Sequence, residues 1–475
     1  MGARMADFDL IVIGAGAAGL SVTAGAAQLG QRVALIERDR MGGDCLNTGC
    51  VPSKALLAAA HAVRRARAAA ALGVHLGEPR IDWDQVRAHV HGAIAAIAPM
   101  DSEERFRGLG ATVIRAEARF AGPRAVAVDG RVLTARRIVI AAGSRAAVPD
   151  IPGLGTAAGY WTNASLFDLT QRPEHLLVLG GGPIGLEMAD AFAALGSRVT
   201  VVQASTIANR DDPALVAVLR EVLRARGVVI EEGAQVAEVE AGPTLVLADG
   251  RRIGGSHLLV AAGRQPNIED LALEAGGVAA TARGVTTDAG LRSVSNRHVY
   301  AVGDIADPVG IGPRAFTHVG AYHAGLVIRR ALFRLPARID YAALPRVTYT
   351  DPELAQVGLT EAEARAAGLD ASVLSWPMAE NDRAVAEGDT TGLVRLVVSR
   401  GRVVGAGIVA PHAGEMIGTW TLAISQRVKL SALAGMIVPY PTRAEAGKRA
   451  VGSHFTPRLF SDRTRRLVRW LARLG

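Results

Sequence analysis

The strongest constraint on this chain is a motif that occurs twice. Residues 10–20 read LIVIGAGAAGL and residues 176–186 read LLVLGGGPIGL. Each is a short apolar strand, a G-x-G-x-x-G turn and a helix-forming stretch. The glycines are Gly14, Gly16 and Gly19 in the first copy and Gly180, Gly182 and Gly185 in the second. A further strand follows each copy: VALIE (33–37) ends in Glu37, and VTVVQ (199–203) ends in Gln203. Strand, glycine turn, helix and strand make a βαβ dinucleotide unit. The glycines permit a tight turn and close backbone approach. The helix N-terminus then offers free N–H groups and a positive dipole end to a pyrophosphate. One such turn is a weak signal, because a tight turn of this kind suits many α/β proteins. Two complete copies predict duplication of a fold rather than a short solenoid repeat.

A length of 475 residues corresponds to about three domains. The fold class expected is α/β: two Rossmann-like dinucleotide-binding domains plus a C-terminal α+β domain. The boundaries read from the sequence are 1–150 for the first dinucleotide domain and 151–275 for the second. Residues 276–344 return to the first, 345–457 form the final domain, and 458–475 form a basic amphipathic tail helix. IVIAAGSRA (138–146), LLVAAGRQPNI (258–268) and VYAVGDIAD (299–307) read as apolar strands ending in glycine turns. From Pro345 the pattern changes to VTYT, LVRLVVS and RVVGAGIVA strands. A helix over 54–72 packs on the first sheet. Hydrophobic residues are 49% and charged residues 21%, which excludes wholesale disorder. Aromatics are only 4%, so the cores are built from Ala, Val, Leu and Ile.

The only cysteines are Cys45 and Cys50. That excludes a disulfide-stapled scaffold, a cysteine zinc finger and an iron–sulfur cluster. No metal site is expected. The net charge of +8 is carried by arginines, with only three lysines, Lys54, Lys429 and Lys448. The arginine excess is a compositional habit, and no aromatic-interleaved basic stripe points to nucleic acid. No stretch of 18 apolar residues predicts a spanning helix. Cytoplasm is the default location.

The stretch GGDCLNTGCVPSK (42–54) is the most informative. The bland readings of its two thiols are unrelated buried residues or half a metal site. No His or carboxylate stands nearby at ligand spacing. A reversible disulfide explains the pair better, since cytosolic disulfides are mostly catalytic or redox-sensing. A helix beginning near Pro52 sets its N-terminus by Cys50, which favours the thiolate. Cys45, further out, is suited to attack on an outside disulfide or soft metal. Lys54 follows one helical turn later.

With those residues in place, the chain resembles the class I pyridine nucleotide-disulfide oxidoreductases over essentially its whole length. The shared order is GAGAAG with Glu37, the dithiol, GGGPIG, AAGRQPN, VGDIAD and a C-terminal interface domain. The resemblance implies FAD in the first domain, a nicotinamide cofactor in the second and a homodimer. It implies that Gly14, Gly16 and Gly19 cradle the FAD pyrophosphate and that Glu37 holds the adenosine ribose. Gly43, the backbone near Ala118, and Gly143 line the same cofactor. Lys54 lies by the flavin and pairs with Glu187, Asp304 bonds the ribityl chain, and Thr317 approaches the pyrimidine end. Gly180, Gly182, Gly185 and Gly263 border the nicotinamide dinucleotide. The implied path runs from hydride to flavin, to the Cys50 side of the disulfide, then from Cys45 to the acceptor.

The acceptor end departs from most of the family. Thiol-disulfide members carry His-Pro-x-x-x-Glu in the last domain, and the partner subunit supplies that His. Here the stretch is VPYPTRAEAGKRA (438–450), with Tyr440 in place of His and Glu445 kept. A phenol titrates near ~10 and a histidine near ~6.5, so Tyr440 is a poor base for dihydrolipoamide. The bland reading is that Tyr440 only packs at an interface. The pattern resembles mercuric reductase, but the terminal cysteine pair of that enzyme is absent. A small-molecule or metal–thiol acceptor is expected. For the nucleotide, neutral Gln203 does not repel a 2′-phosphate, while Ala204 stands where an Arg often serves NADP. Ser205, Thr206 and Arg210 follow, and the lean is to NADPH over NADH.

Residues 458–475 read RLFSDRTRRLVRWLARLG, with six arginines and one aspartate. At helical spacing Phe460, Leu467, Trp470, Leu471 and Leu474 share one side. Arg465, Arg466, Arg469 and Arg473 share the other. A basic amphipathic helix suits an anionic membrane surface; the plain alternative is a helix docked on the protein body. Peripheral contact at the inner membrane face therefore joins the cytoplasmic reading. His318 and His412 read as structural or surface residues. Three functions are in view: a mercuric-reductase-like flavoenzyme, a dihydrolipoamide dehydrogenase, and a membrane-surface redox sensor without rapid turnover.

Overall fold

The structure is a computed structural model that describes residues 6–155 and 159–474. The chain divides into two compact units, the first from 1–56, 81–172 and 258–339, the second from 57–80, 173–257 and 340–475.

In the first unit the strand Phe8–Ile13 is the centre of a seven-stranded sheet. It runs parallel to Val33–Glu37 on one side and to Arg131–Ile140 on the other. Leu10, Ile11, Val12 and Ile13 are all buried. That explains the unbroken apolar run, because a parallel strand covered on both faces needs no polar alternation. Val299–Ala301 also pairs in parallel with Arg131–Ile140. The helices Ala17–Gln28 and Thr317–Ala331 pack side by side. Their approach is close at Gly320, where a methyl group would lie 3.1 Å from Ala18 Cβ.

In the second unit His175–Leu179, Arg198–Gln203 and Val228–Glu232 run parallel in that order. An antiparallel meander follows, from Val236–Glu240 through Thr244–Leu247 to Arg252–Gly254. The last segment builds a five-stranded antiparallel sheet ordered Pro345–Thr348, Glu353–Gly358, Arg402–Ala410, Leu393–Ser399 and Ala371–Pro377. The helix Ala413–Ser425 packs on Arg402–Ala410, and Glu445–Leu459 packs on Ala371–Pro377.

Two helix boundaries differ from the sequence reading. The helix expected over 54–72 starts at Cys50 and runs to Ala68, with a 3-10 turn over Ala69–Leu72. The tail is not one helix from 458. Glu445–Leu459 runs past that point, the chain breaks at Phe460–Ser461, and Asp462–Leu471 begins anew. The Ser461 side chain accepts the Thr464 backbone N–H, and this N-cap competes with continued helix.

The helix Pro183–Ala194 buries two acids, Glu187 and Asp190. Arg64 grips Asp190 with two donors, Nη1 to Oδ2 at 2.8 Å and Nη2 to Oδ1 at 2.5 Å. The Asp351 backbone N–H adds a bond of 2.9 Å. Burial pushes the Asp190 carboxyl up, and the charges of Arg64 and Arg226 pull it back. A buried carboxylate stripped of its partner is costly. Arg64→Ala is therefore expected to lower stability by about 3 kcal/mol, read as an earlier urea midpoint. An unchanged midpoint contradicts the pairing.

Candidate functional site: a dithiol beside a dinucleotide turn

The two glycine turns have the same local geometry. Gly14 has φ +104° and Gly180 φ +117°, a region open to glycine and little else. A methyl on Gly19 would overlap the Gly14 carbonyl oxygen, and one on Gly185 the Gly180 carbonyl oxygen. Helix and strand thus touch backbone to backbone in both copies. Gly16 and Gly182 sit at the helix N-caps with no capping side chain. A methyl on Gly182 would meet nothing within 4 Å, and one on Gly16 only Gly43 Cα at 3.9 Å. Uncapped N–H groups above open space fit a dinucleotide pyrophosphate.

The acid-position residues reach back to these turns. Glu37 Oε2 accepts the Ala15 N–H at 2.6 Å, and its Oε1 accepts the Asp39 N–H at 2.7 Å. Gln203 Oε1 accepts the Gly181 N–H at 2.7 Å, and its Nε2 donates to Ser205 Oγ at 2.8 Å. Gly43 (φ +57°) presses on the first turn, where a methyl would lie 2.7 Å from Gly16 Cα.

Cys45 lies on the short helix Gly43–Asn47, and Cys50 is the first residue of Cys50–Ala68. Both thiols are free in the structure, Cys45 half-buried and Cys50 exposed. Cys50 Sγ lies 3.2 Å from Thr317 Oγ1, and Thr317 opens the helix Thr317–Ala331. Two helix N-termini therefore converge on one sulfur, which favours its anion. The Cys45 hydrogen bond pulls the Cys50 thiol down to about 6, helped by Thr317 and Lys54 and opposed by burial and Asp44. Cys45 is pushed up, first by its hydrogen bond to Cys50, then by burial and the Cys50 charge. Cys50 is thus the sulfur that ionises first, and Cys45 the one that keeps its proton.

Beside them lies a polar chain that sequence reading did not pick out. Arg264 Nη2 donates to Asp44 Oδ2 at 2.8 Å, and Arg264 Nε donates to Ser144 Oγ at 2.7 Å. Ser144 Oγ donates to Asp304 Oδ2 at 2.5 Å. Burial raises the Asp304 carboxyl against the pull of Ser144 and Arg264. Asn163 donates to Asp44 as well, at 2.8 Å. Asp44, Ser144 and Arg264 stand inside GGDC, AAGSRA and AAGRQPN; a polar residue abutting each turn was the available signal. Gly143 (φ +65°) is held by Asn267, whose N–H donates to its carbonyl at 3.0 Å. Gly263 accepts the Ala147 N–H at 3.0 Å, and Ala118 is buried ahead of Arg119–Gly122.

In the second unit Glu187 accepts the Tyr349 N–H at 3.0 Å. Tyr440 is 68% exposed, and its hydroxyl donates to Asp382 at 2.9 Å. That bond and the Asp382 charge raise the phenol above its usual range. Glu445 begins the helix Glu445–Leu459 and pairs with Arg449 at 3.1 Å. His318 stacks on Phe316, and His412 lies in the turn before Ala413–Ser425. The buried His323 accepts the Gly303 N–H, and burial lowers it to about 4. Among the described residues no His, Cys, Asp and Glu cluster suits a metal.

The pyridine nucleotide-disulphide oxidoreductase model matches residues 8–340, and that family's dimerisation-domain model matches 344–451. A mercuric reductase of Streptomyces lividans is 37% identical over 93% of this chain and 95% of its own length. A dihydrolipoyl dehydrogenase of Geobacillus stearothermophilus is 32% identical over 94% and 95%. The Cu(II) complex of the HOCl-induced flavoprotein disulfide reductase RclA from Escherichia coli superposes with a TM-score of 0.82 and 27% identity, over 92% of this chain and 98% of that one. The chain belongs to the pyridine nucleotide-disulfide oxidoreductase family. It is a flavoenzyme that uses FAD and a pyridine nucleotide around a disulfide redox centre, and the dimerisation domain supports a homodimer.

The lowered Cys50 value fixes the sign of a pH dependence. The thiolate is present above about pH 6 and lost as pH falls through it. Alkylation of the reduced protein by iodoacetamide, read by mass spectrometry, is expected to rise with pH through that value. Thr317→Val removes a stabilising bond, moves the inflection upward and slows alkylation at pH 6 by about threefold. An unmoved inflection contradicts the Thr317 assignment.

Proposed function

We propose that the chain is an NAD(P)H-dependent oxidoreductase that passes electrons through Cys45 and Cys50 to Hg(II) presented as a small thiol complex. The observation that carries this reading is the Cys50 sulfur between two helix N-termini, 3.2 Å from Thr317 Oγ1. Gly14, Gly16, Gly19, Glu37, Gly43, Ala118, Gly143, Asp304 and Thr317 hold FAD. Gly180, Gly182, Gly185, Gln203 and Gly263 border the nicotinamide nucleotide. Bound FAD supplies a two-electron relay between the nicotinamide and the disulfide. Lys54 places a positive charge beside the redox pair. Cys50 holds negative charge after reduction, and Cys45 meets the acceptor. Glu445 and Tyr440 complete the acceptor end from the partner subunit.

Tyr440 favours this reading over dihydrolipoamide oxidation. Its proton is held against Asp382, so it donates a hydrogen bond and is a weak base near neutrality. General-base catalysis is worth about 10²–10⁴-fold, and the lipoamide reaction lacks that much here. Gln203, Ser205 and Asn209 form a neutral hydrogen-bonded group at the end of the second βαβ unit. A neutral Gln203 at the acid position supports NADPH.

Anaerobic NADPH oxidation is expected to depend on Hg(II) buffered in excess thiol. It is expected to vanish in Cys45→Ala and in Cys50→Ala. Full activity in either variant contradicts the dithiol route. A higher kcat/KM for NADH reverses the nucleotide assignment. Slow turnover with every small acceptor favours a redox sensor instead.

The tail supports a second reading, contact with an anionic membrane surface. No described residue of the helix Asp462–Leu471 is buried. Leu467, Trp470 and Leu471 are about half exposed on one side, opposite Arg465, Arg466 and Arg469. Among the described residues no helix is long and apolar enough to cross a membrane. The chain is expected to float with phosphatidylglycerol vesicles and to lose that ability when 458–475 is removed. Equal flotation without the tail contradicts this assignment.

A further inference from the structure

The Asp44 carboxylate has no part in the roles above, yet three side chains bond to it. Thr48 Oγ1 and Asn163 Nδ2 donate to its Oδ1 at 2.7 and 2.8 Å, and Arg264 Nη2 donates to its Oδ2 at 2.8 Å. Asn163 is buried and also donates to the Thr48 carbonyl at 3.2 Å. The loop that carries the two cysteines is thus tied at Asp44 and at Thr48 to residues far away in sequence. At Gly49 the fit is tight, since a methyl would lie 2.9 Å from the Asp44 carbonyl oxygen. Arg264 is anchored in turn by Ser144, through Nε to Oγ at 2.7 Å and Nη2 to the carbonyl at 2.9 Å.

We propose that Asp44 and Arg264 form a counter-charged clamp on the redox loop that sets the balance between its disulfide and dithiol forms. The inference rests on the redox role assigned to Cys45 and Cys50. The disulfide is neutral, whereas the dithiol with one ionised sulfur carries a negative charge. Asp44 repels that charge and holds the pair toward the disulfide. Arg264 attracts it and holds the pair toward the dithiol. The Asp44 charge opposes ionisation of both sulfurs. Asp44 and Arg264 are positioning residues, acting through the loop rather than on a substrate.

The test is equilibration of the holoenzyme with mixtures of dithiothreitol and its cyclic disulfide. Each exchange turns one Cys45–Cys50 disulfide and one dithiothreitol into one enzyme dithiol and one cyclic disulfide. Above the first pKa of the pair, one proton passes to solvent. Acid quench, alkylation and mass spectrometry give the ratio at half-reduction. Asp44→Asn is expected to lower the dithiothreitol-to-disulfide ratio needed by about threefold or more, and Arg264→Gln to raise it by about as much. Arg264→Lys keeps the charge and is expected to stay near the unsubstituted ratio. A clamp that merely stiffens the loop moves Asp44→Asn and Arg264→Gln in the same direction, and that result, or no shift in either, overturns the proposal. Failure of the unsubstituted protein to form the disulfide at all sinks the redox-pair reading itself.

Discussion

The architecture depends on a contact too close for any side chain. Gly19 meets the carbonyl of Gly14, and Gly185 meets the carbonyl of Gly180, with no room for a methyl. Each contact seats a helix directly against the end of a buried parallel strand. The helix N-terminus is left uncapped at that strand's carboxyl end, where backbone donors and dipole point into open space. The redox loop is built on the first of these seats: Gly42 donates its N–H to Ala15, and Gly43 lies against Gly16. A side chain at any of these glycines displaces helix and loop together.

Charge then distinguishes two chemically identical thiols. Cys50 begins one helix and touches the first residue of another. Cys45 lies on a five-residue helix with Asp44 in its first turn. The same sequence of residues that lowers one thiol raises its neighbour, and the hydrogen bond between them joins the two effects. Such a pair divides labour: one sulfur carries charge, the other keeps a proton until an acceptor arrives.

The glycine motifs, the two βαβ units and the dithiol were legible in the sequence because each is a local signal. Glycine spacing, strand periodicity and a five-residue cysteine separation need no tertiary information. The Cys50–Thr317 contact and the Asp44–Arg264 pair were not legible, because they join residues hundreds of positions apart. The antiparallel pairing of Arg264–Pro266 with Ser144–Ala146 sets Arg264 opposite Ala146, from where its side chain reaches Ser144. The tail showed the opposite limit: its amphipathic periodicity was plain, but the break at Ser461 depended on a cap that periodicity does not register. Asp190 carries no local signal in the sequence; its burial against Arg64 and the Asp351 N–H gives it structural weight.

At the expected acceptor end the Tyr440 hydroxyl donates to Asp382. Whatever accepts the electrons, the central claim is that Cys45 and Cys50 store a pair of them in communication with the flavin. Anaerobic reductive titration of the holoenzyme, followed by flavin absorbance, tests this most directly. The account expects full reduction to take about four electrons per flavin, two for the disulfide and two for the flavin, with about two in Cys50→Ala. Uptake of about two electrons by the unsubstituted protein would contradict it.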